Sequence, residues 1–329
     1  MVTGKGSDHL VGDREADLHP LVLIIGPTAV GKSGLAIELA ERIGGEIISG
    51  DSMQVYRAMD IGTAKVSLEE RRGIPHHLID IINPDEPYSV ADFQKQCTEL
   101  IPAIVARGNF PILVGGTGLY VRSVIAHYEF AEEAKDIELR ARLEKEADEI
   151  GLEEIHKKLA QVDAESALRI HINDRKRIIR ALEVFYLTGK KQSEFHYAAS
   201  IKKPKYNFVA LGLTMERSLL YRRIDLRAQN MIESGLVDEV KGLLAKGYQS
   251  DLPSMQGLGY RQITPYLNGD YDLSQALYLL QRDTRRYAKR QLTWFRRESS
   301  IEWFAVDQLG EGRLIEESER TIRRALTGL

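Results

Sequence analysis

Apolar residues fall into short runs separated by stretches of helical period. Leu21-Val22-Leu23-Ile24-Ile25 is unbroken, the pattern of a strand covered on both faces. Residues 34–43 follow with apolar positions 35, 36, 39, 40 and 43, which predicts an amphipathic helix. Glu46–Ser49, His77–Ile82, Pro111–Val114, Phe208–Leu213 and Ile301–Val306 read as further strands. Residues 89–107 read as a helix kinked or broken at Pro102. Strands alternating with helices predict an α/β fold, a parallel sheet with helices on both faces.

Residues 131–200 lack any strand signal. Between Glu132 and Glu154 there are ten acidic and four basic residues, and Leu139, Leu143 and Ala147 make an i, i+4, i+8 stripe. The stretch 169–180 then turns basic. This predicts a helical insertion at 131–200 in a core formed by 21–130 and 201–329. The C-terminal part reads as mostly helical. One helix carries Arg222, Arg223 and Arg227 and runs through Met231, and another spans 273–295. Residues 1–20 are polar, lack the apolar core of a signal peptide and are expected to be a flexible tail.

The loop between the first strand and helix reads Gly26-Pro27-Thr28-Ala29-Val30-Gly31-Lys32-Ser33, the G-x-x-x-x-G-K-S phosphate loop, a nucleotide-binding motif. Its backbone N–H groups and the positive helix end are suited to a diphosphate or nucleotide such as ATP. Lys32 adds a point charge, and the Ser33 hydroxyl is suited to hold Mg²⁺. Asp51 follows a strand. It is either a general base or metal-associated carboxylate, or a cap for the next helix, and spacing alone leaves these readings level. Gly115-Gly116-Thr117-Gly118 also follows a strand, where a motor ATPase carries a metal-binding aspartate. Asp80 sits inside an apolar run and is a poor substitute, so this loop weighs against a kinase or ATPase. The adjacent His76 and His77, without further ligands, read as structural.

Composition narrows the partners. Net charge is −3 over 329 residues, so nucleic-acid binding requires a local basic face. Arg282, Arg285, Arg286, Lys289 and Arg290 supply one at helical spacing, extended by Arg296 and Arg297. The competing reading of both basic segments is pairing within the chain. Cys97 is the sole cysteine, which excludes an internal disulfide and fits a reducing compartment. No apolar run approaches membrane-spanning length, so no membrane association is expected.

The chain resembles the bacterial tRNA dimethylallyltransferase (tRNA isopentenyltransferase) family. The segments that carry the resemblance are Gly26–Ser33, Asp51–Arg57, Met59–Lys65, Ile74–Asp80, Gly115–Tyr120, Arg180–Val184, Gly257–Gln262, Arg285–Gln291 and Thr293–Arg296. The resemblance implies a phosphate-loop NTPase-like fold and transfer of a dimethylallyl group from dimethylallyl diphosphate. The acceptor is the N6 amine of the adenosine 3′-adjacent to the anticodon, in tRNAs reading codons that begin with U. It implies that Gly26–Ser33 hold the diphosphate with Mg²⁺ at Ser33. Asp51 is then the base, Thr117 lies beside the reacting centre and Arg223 contacts the diphosphate. By the same resemblance, Asp51, Ser52, Met53, Gln54, Thr117, Lys176, Arg177, Ile178, Ile179, Arg180, Gln256, Gly257, Leu258, Gly259, Tyr260 and Arg261 meet the tRNA. The insertion 131–200, without strand signal and flanked by core motifs, is expected to grip it. A cytoplasmic monomer without an obligate protein partner is expected. The rival from the same chemistry is an adenylate isopentenyltransferase acting on free AMP, ADP or ATP. The rival from another class is a non-catalytic RNA-binding module, in which the phosphate loop and Asp51 are superfluous.

Overall fold

The computed structural model describes residues 18–126, 136–195 and 204–326. Most of the expected N-terminal tail lies outside them. The chain runs β1 (Pro20–Ile25), α1 (Lys32–Ile43), β2 (Gly45–Ser49), β3 (His76–His77), α2 (Val90–Ala106), β4 (Phe110–Gly115) and α3 (Gly118–Ile125). Four helices follow: α4 (Ile137–Ile150), α5 (Leu152–Val162), α6 (Ala164–Arg169) and α7 (Arg175–Thr188). Then come β5 (Asn207–Thr214), α8 (Arg217–Glu233), α9 (Leu236–Ala245), α10 (Tyr260–Leu267), α11 (Leu273–Phe295), β6 (Ile301–Ala305) and α12 (Glu311–Leu326).

The strands form one parallel sheet in the order β3-β2-β4-β1-β5-β6. β1 is central, with Val22 level with Ile112 on one side and Val209 on the other. Successive side chains of a strand point to opposite faces, so both faces need cover. Val22 and Ile24 pack with Leu35 and Leu39 of α1 and Leu314 of α12. Leu21, Leu23 and Ile25 pack with Phe93, Cys97 and Ile101 of α2 and Val121 of α3. This double burial explains the unbroken apolar run of β1. The sheet order puts the carboxyl ends of β1, β2, β4 and β5 along one edge, where α/β sheets bind ligands.

A second apolar core joins α8–α11 to the loop after β2, through Met59, Leu236, Tyr260 and Leu280. A third is confined to α4–α7, where Leu139, Leu143 and Ala147 meet Ile155, Leu159 and Leu182. The chain leaves the sheet region after Ile125 and returns at Lys205, whose N–H donates to the Ile125 carbonyl at 3.1 Å. The chain therefore leaves and rejoins the sheet region at one point. Among the described residues no helix is long and apolar enough to cross a membrane.

Two expectations need correction. The strand read at 77–82 is only His76–His77, because Leu78 and Asp80 take left-handed backbone, φ 61° and 58°, which ends the ladder. Asp80 instead pairs with Lys65 at 2.5 Å. Pro102 does not break α2, which runs on with Phe93, Cys97, Ile101 and Ile104 buried along one face. The anchored face outweighs the one missing backbone bond. The histidines are structural, as read: His76 Nδ1 meets the Ile74 carbonyl at 2.8 Å and His77 Nε2 meets Glu46 at 2.7 Å.

Candidate active site

The phosphate loop turns from β1 into α1. Gly31 is the residue before α1, at φ 106°, a conformation that excludes ordinary side chains. α1 has no acidic residue in its first turn, so its positive end is uncompensated within the helix. Lys32 and Ser33, its first two residues, line a cavity of about 380 Å³ with Asp51, Gly116, Arg223 and Arg227. A second cavity of about 300 Å³ adjoins it and shares Thr28, Asp51, Thr63, Arg227 and Tyr287 in its lining. Two chambers meeting at a carboxylate suit two substrates that meet there.

Lys32 Nζ donates to the carbonyl of Pro27 in its own loop at 2.8 Å. Burial brings its pKa down to about 7, with the nearby Arg227 charge helping and Asp51 opposing. Arg227 donates to no protein group among the described residues. Burial weighs against its charge, and Asp51 supports it. A confined Arg227 cation and a Lys32 amine that an arriving anion would protonate, set against one carboxylate, favour capture of an anion. Arg223, four residues earlier on α8, reaches the phosphate loop from outside, with its Nη2 3.9 Å from where a Cβ on Gly31 would lie.

Asp51 caps no helix. Its Oδ1 accepts the Met53 N–H at 2.9 Å, a local turn, and its other oxygen makes no hydrogen bond among the described residues. Gln54 supports that turn from below. Its amide is held by Ser49 Oγ at 2.8 Å and by the Thr63 carbonyl at 3.2 Å, so its side chain is already engaged within the protein. Ser52 and Met53 line the second cavity with Gln256, Gly257, Leu258 and Arg261.

Several expected contact residues lie elsewhere. Ile178 and Ile179 are 0% and 2% exposed inside the α4–α7 core, so their side chains are packing groups and not nucleic-acid contacts. Tyr260 is fully buried with its hydroxyl on Glu239 at 2.6 Å, and Gly259 is buried beside it. Arg175, beside the expected stretch, is paired to Asp148 of α4, and Arg180 to Glu183 at 2.7 Å. Lys176 and Arg177 stay exposed. Thr117 lines neither cavity. Its Oγ1 is buried without a hydrogen-bond partner, facing the Tyr287 hydroxyl outside bonding geometry.

Three residues are named in the sequence reading, or lie in its matching segments, without a site role. Arg227 is four residues from Arg223, so helical spacing alone puts both on one face. Tyr287 and Gln291 of α11 are spaced the same way. Tyr287 stays a neutral donor, because burial and the Asp51 charge push its pKa up to about 12. Gln291 bridges two loops through its amide. The basic face of α11 is partly neutralised: Arg285 pairs with Asp225 of α8, and Arg282 with Asp283 at 2.9 Å. Lys289, Arg290, Arg296 and Arg297 are exposed and make no ion pair among the described residues.

Among the described residues no group of three acidic, histidine or cysteine side chains is arranged to hold a metal. The donors at hand are the Ser33 hydroxyl and Asp51, in a cavity shaped for phosphate. That set fits Mg²⁺, which usually takes one or two protein oxygens and completes its shell with phosphate oxygens and water.

Comparison with known proteins agrees with this geometry. The family described as IPP transferase matches residues 54–298, and that described as isopentenyl transferase matches 19–80. The tRNA dimethylallyltransferase of Heliobacterium modesticaldum is 65% identical over 307 residues, 93% of this chain and 96% of that protein. That of Carboxydothermus hydrogenoformans is 55% identical over 86% of this chain and 91% of its own. The solved tRNA isopentenylpyrophosphate transferase of Bacillus halodurans is 46% identical over 94% of this chain and 97% of its own, with a TM-score of 0.71. A eukaryotic dimethylallyltransferase solved acting on tRNA is 30% identical over 93% of this chain and 80% of its own, with a TM-score of 0.80.

Proposed function

The chain belongs to the IPP transferase family, and from that premise we propose that it moves a dimethylallyl group from dimethylallyl diphosphate to tRNA. The acceptor is the N6 amine of the adenosine 3′-adjacent to the anticodon, in tRNAs reading codons that begin with U. The observation that carries the reading is Asp51 at the junction of a cationic phosphate cavity and a second chamber. A free nucleotide needs no basic helix face outside the site, and Lys289, Arg296 and Arg297 offer one to an RNA backbone, continuous with Arg290 at the wall of the second chamber.

The exocyclic amine is a weak nucleophile, because its lone pair is delocalised into the ring. Asp51 accepts an amine proton as the N6–C1 bond forms and the C1–O bond to diphosphate breaks. The electron pair leaves with the diphosphate. Lys32, Arg227, Arg223 and the N–H groups of the phosphate loop stabilise the charge gathering there. Ser33 is the residue suited to hold Mg²⁺, which when bound neutralises part of the same charge. The target base leaves its loop stack to enter the second chamber, past Met53 and Gly257–Leu258. The α4–α7 unit grips the stem-loop through its exposed face, with Lys176 and Arg177 as the cations to test.

The test incubates the protein with Mg²⁺, dimethylallyl diphosphate and unmodified tRNA, then digests the RNA and weighs the nucleosides. Prenylated adenosine 3′ of the anticodon is expected. Prenylation of AMP in a parallel reaction, with none on tRNA, would replace this reading with the nucleotide enzyme.

A further inference from the structure

Gln291 is 6% exposed, and each end of its amide serves a different loop. Oε1 accepts the backbone N–H of Thr28, in the phosphate loop, at 2.8 Å. Nε2 donates to the carbonyl of Gly116, in the loop after β4, at 3.0 Å. The orientation of the amide is forced, because an N–H faces only an acceptor and a carbonyl only a donor. Both bonds span more than 170 residues of sequence, so no local turn supplies them. Gly116 makes room for the arrangement. A Cβ there would lie 2.1 Å from Nε2, and Gly116 is not among the residues with left-handed backbone. Glycine at 116 is therefore required by the amide and not by the turn.

We propose that Gln291 is a positioning residue for the transfer reaction. It holds the phosphate loop, which retains the leaving diphosphate, in register with Gly116 on the other side of the same cavity. α11 carries this amide and also the exposed Lys289 and Arg290, so a partner seated on the basic face bears on the helix that aligns the two loops. The inference rests on the transferase reading above. Misalignment of bound reactants costs rate more than binding.

The full-length protein tests it through three readouts: single-turnover rate with both substrates saturating, affinity for dimethylallyl diphosphate, and the thermal unfolding midpoint. Gln291→Met keeps the length of the side chain and removes both polar ends. The saturated rate should fall about 10- to 100-fold, with diphosphate affinity within about threefold of wild type. Gln291→Glu separates alignment from packing. The ionised carboxylate still accepts from Thr28 but repels the Gly116 carbonyl, whereas the protonated acid restores both bonds. The ratio of its rate to the wild-type rate, taken at each pH, should therefore rise as pH falls. Gly116→Ala displaces the amide from the opposite side, and its loss should not add to that of Gln291→Met. A Gln291→Met rate within about threefold of wild type, a ratio flat with pH, or additive losses would each overturn the proposal. If the wild type transfers no prenyl group to tRNA, the transferase reading fails and this inference with it. If the wild type transfers and the variants match it, only the role of Gln291 fails.

Discussion

Asp51 and Lys32 share one cavity and make opposite demands on it. Asp51→Asn keeps the oxygen that accepts the Met53 N–H, so the turn should survive. It removes the proton acceptor, and the single-turnover rate should fall by about 10²–10⁴ with diphosphate affinity nearly unchanged. A rate within about threefold of wild type, with normal folding, would leave the amine without its base. Lys32 is held to a pKa near 7, so above that pH the empty site holds it largely neutral. An arriving diphosphate favours the ammonium and raises the pKa again. Binding at pH 8 should therefore take up protons, and affinity should weaken as pH rises from 7. Calorimetry in buffers of different ionisation enthalpy measures the uptake, which Lys32→Met should abolish. The phosphate loop could be read from spacing, because it sits at the end of an apolar run, whereas spacing leaves Asp51 level between base and cap, and the turn to Met53 removes the cap. Arg227, Tyr287 and Gln291 could not be read from it. Their roles come from side chains that meet across the fold, and nothing local distinguishes them from ordinary helix residues.

At the scale of elements, β2 is fastened to the end of α2 by a buried carboxylate. Glu46, 2% exposed, accepts from Arg107 at 2.6 and 2.9 Å, from Asn109 at 2.8 Å, and faces His77. Those donors, Arg107 first, hold its pKa at about 2 against the penalty of burial. A depressed carboxylate stabilises the fold above its unfolded pKa, near 4.5, and this contribution disappears as pH falls toward 2. Arg107→Ala should lower stability at pH 7, where the carboxylate is ionised, and lower it less at pH 3. Urea unfolding at the two pH values checks the direction. Elements differ in how well the sequence announces them. Helix α11 and strands β1, β4 and β5 end within one residue of their expected limits, because apolar period and length agree there. β3 is shorter than its apolar run predicts because Leu78 and Asp80, inside that run, are left-handed in backbone. Left-handed φ at a non-glycine residue leaves no mark in apolar patterning.

At the scale of the molecule, the sheet and the α4–α7 unit have separate apolar cores. Replacing residues 126–204 by a short linker spans only the hydrogen bond between Ile125 and Lys205. Such a deletion should spare diphosphate binding and abolish tRNA binding, and retained tRNA affinity would refute the assignment of this unit. tRNA affinity of the full chain should fall steeply with salt. Lys289→Ala with Arg290→Ala should flatten the slope of log affinity against log salt by about 1–2. An unchanged slope would remove α11 from the footprint. The single point of departure and return also bears on the path of the chain. The chain leaves for the α4–α7 unit and rejoins the sheet region beside Ile125. Between Ile125 and Thr117 runs only α3, a rod of eight residues, about 12 Å long. The covalent route from the helical unit back to the loop after β4 is therefore that one rod.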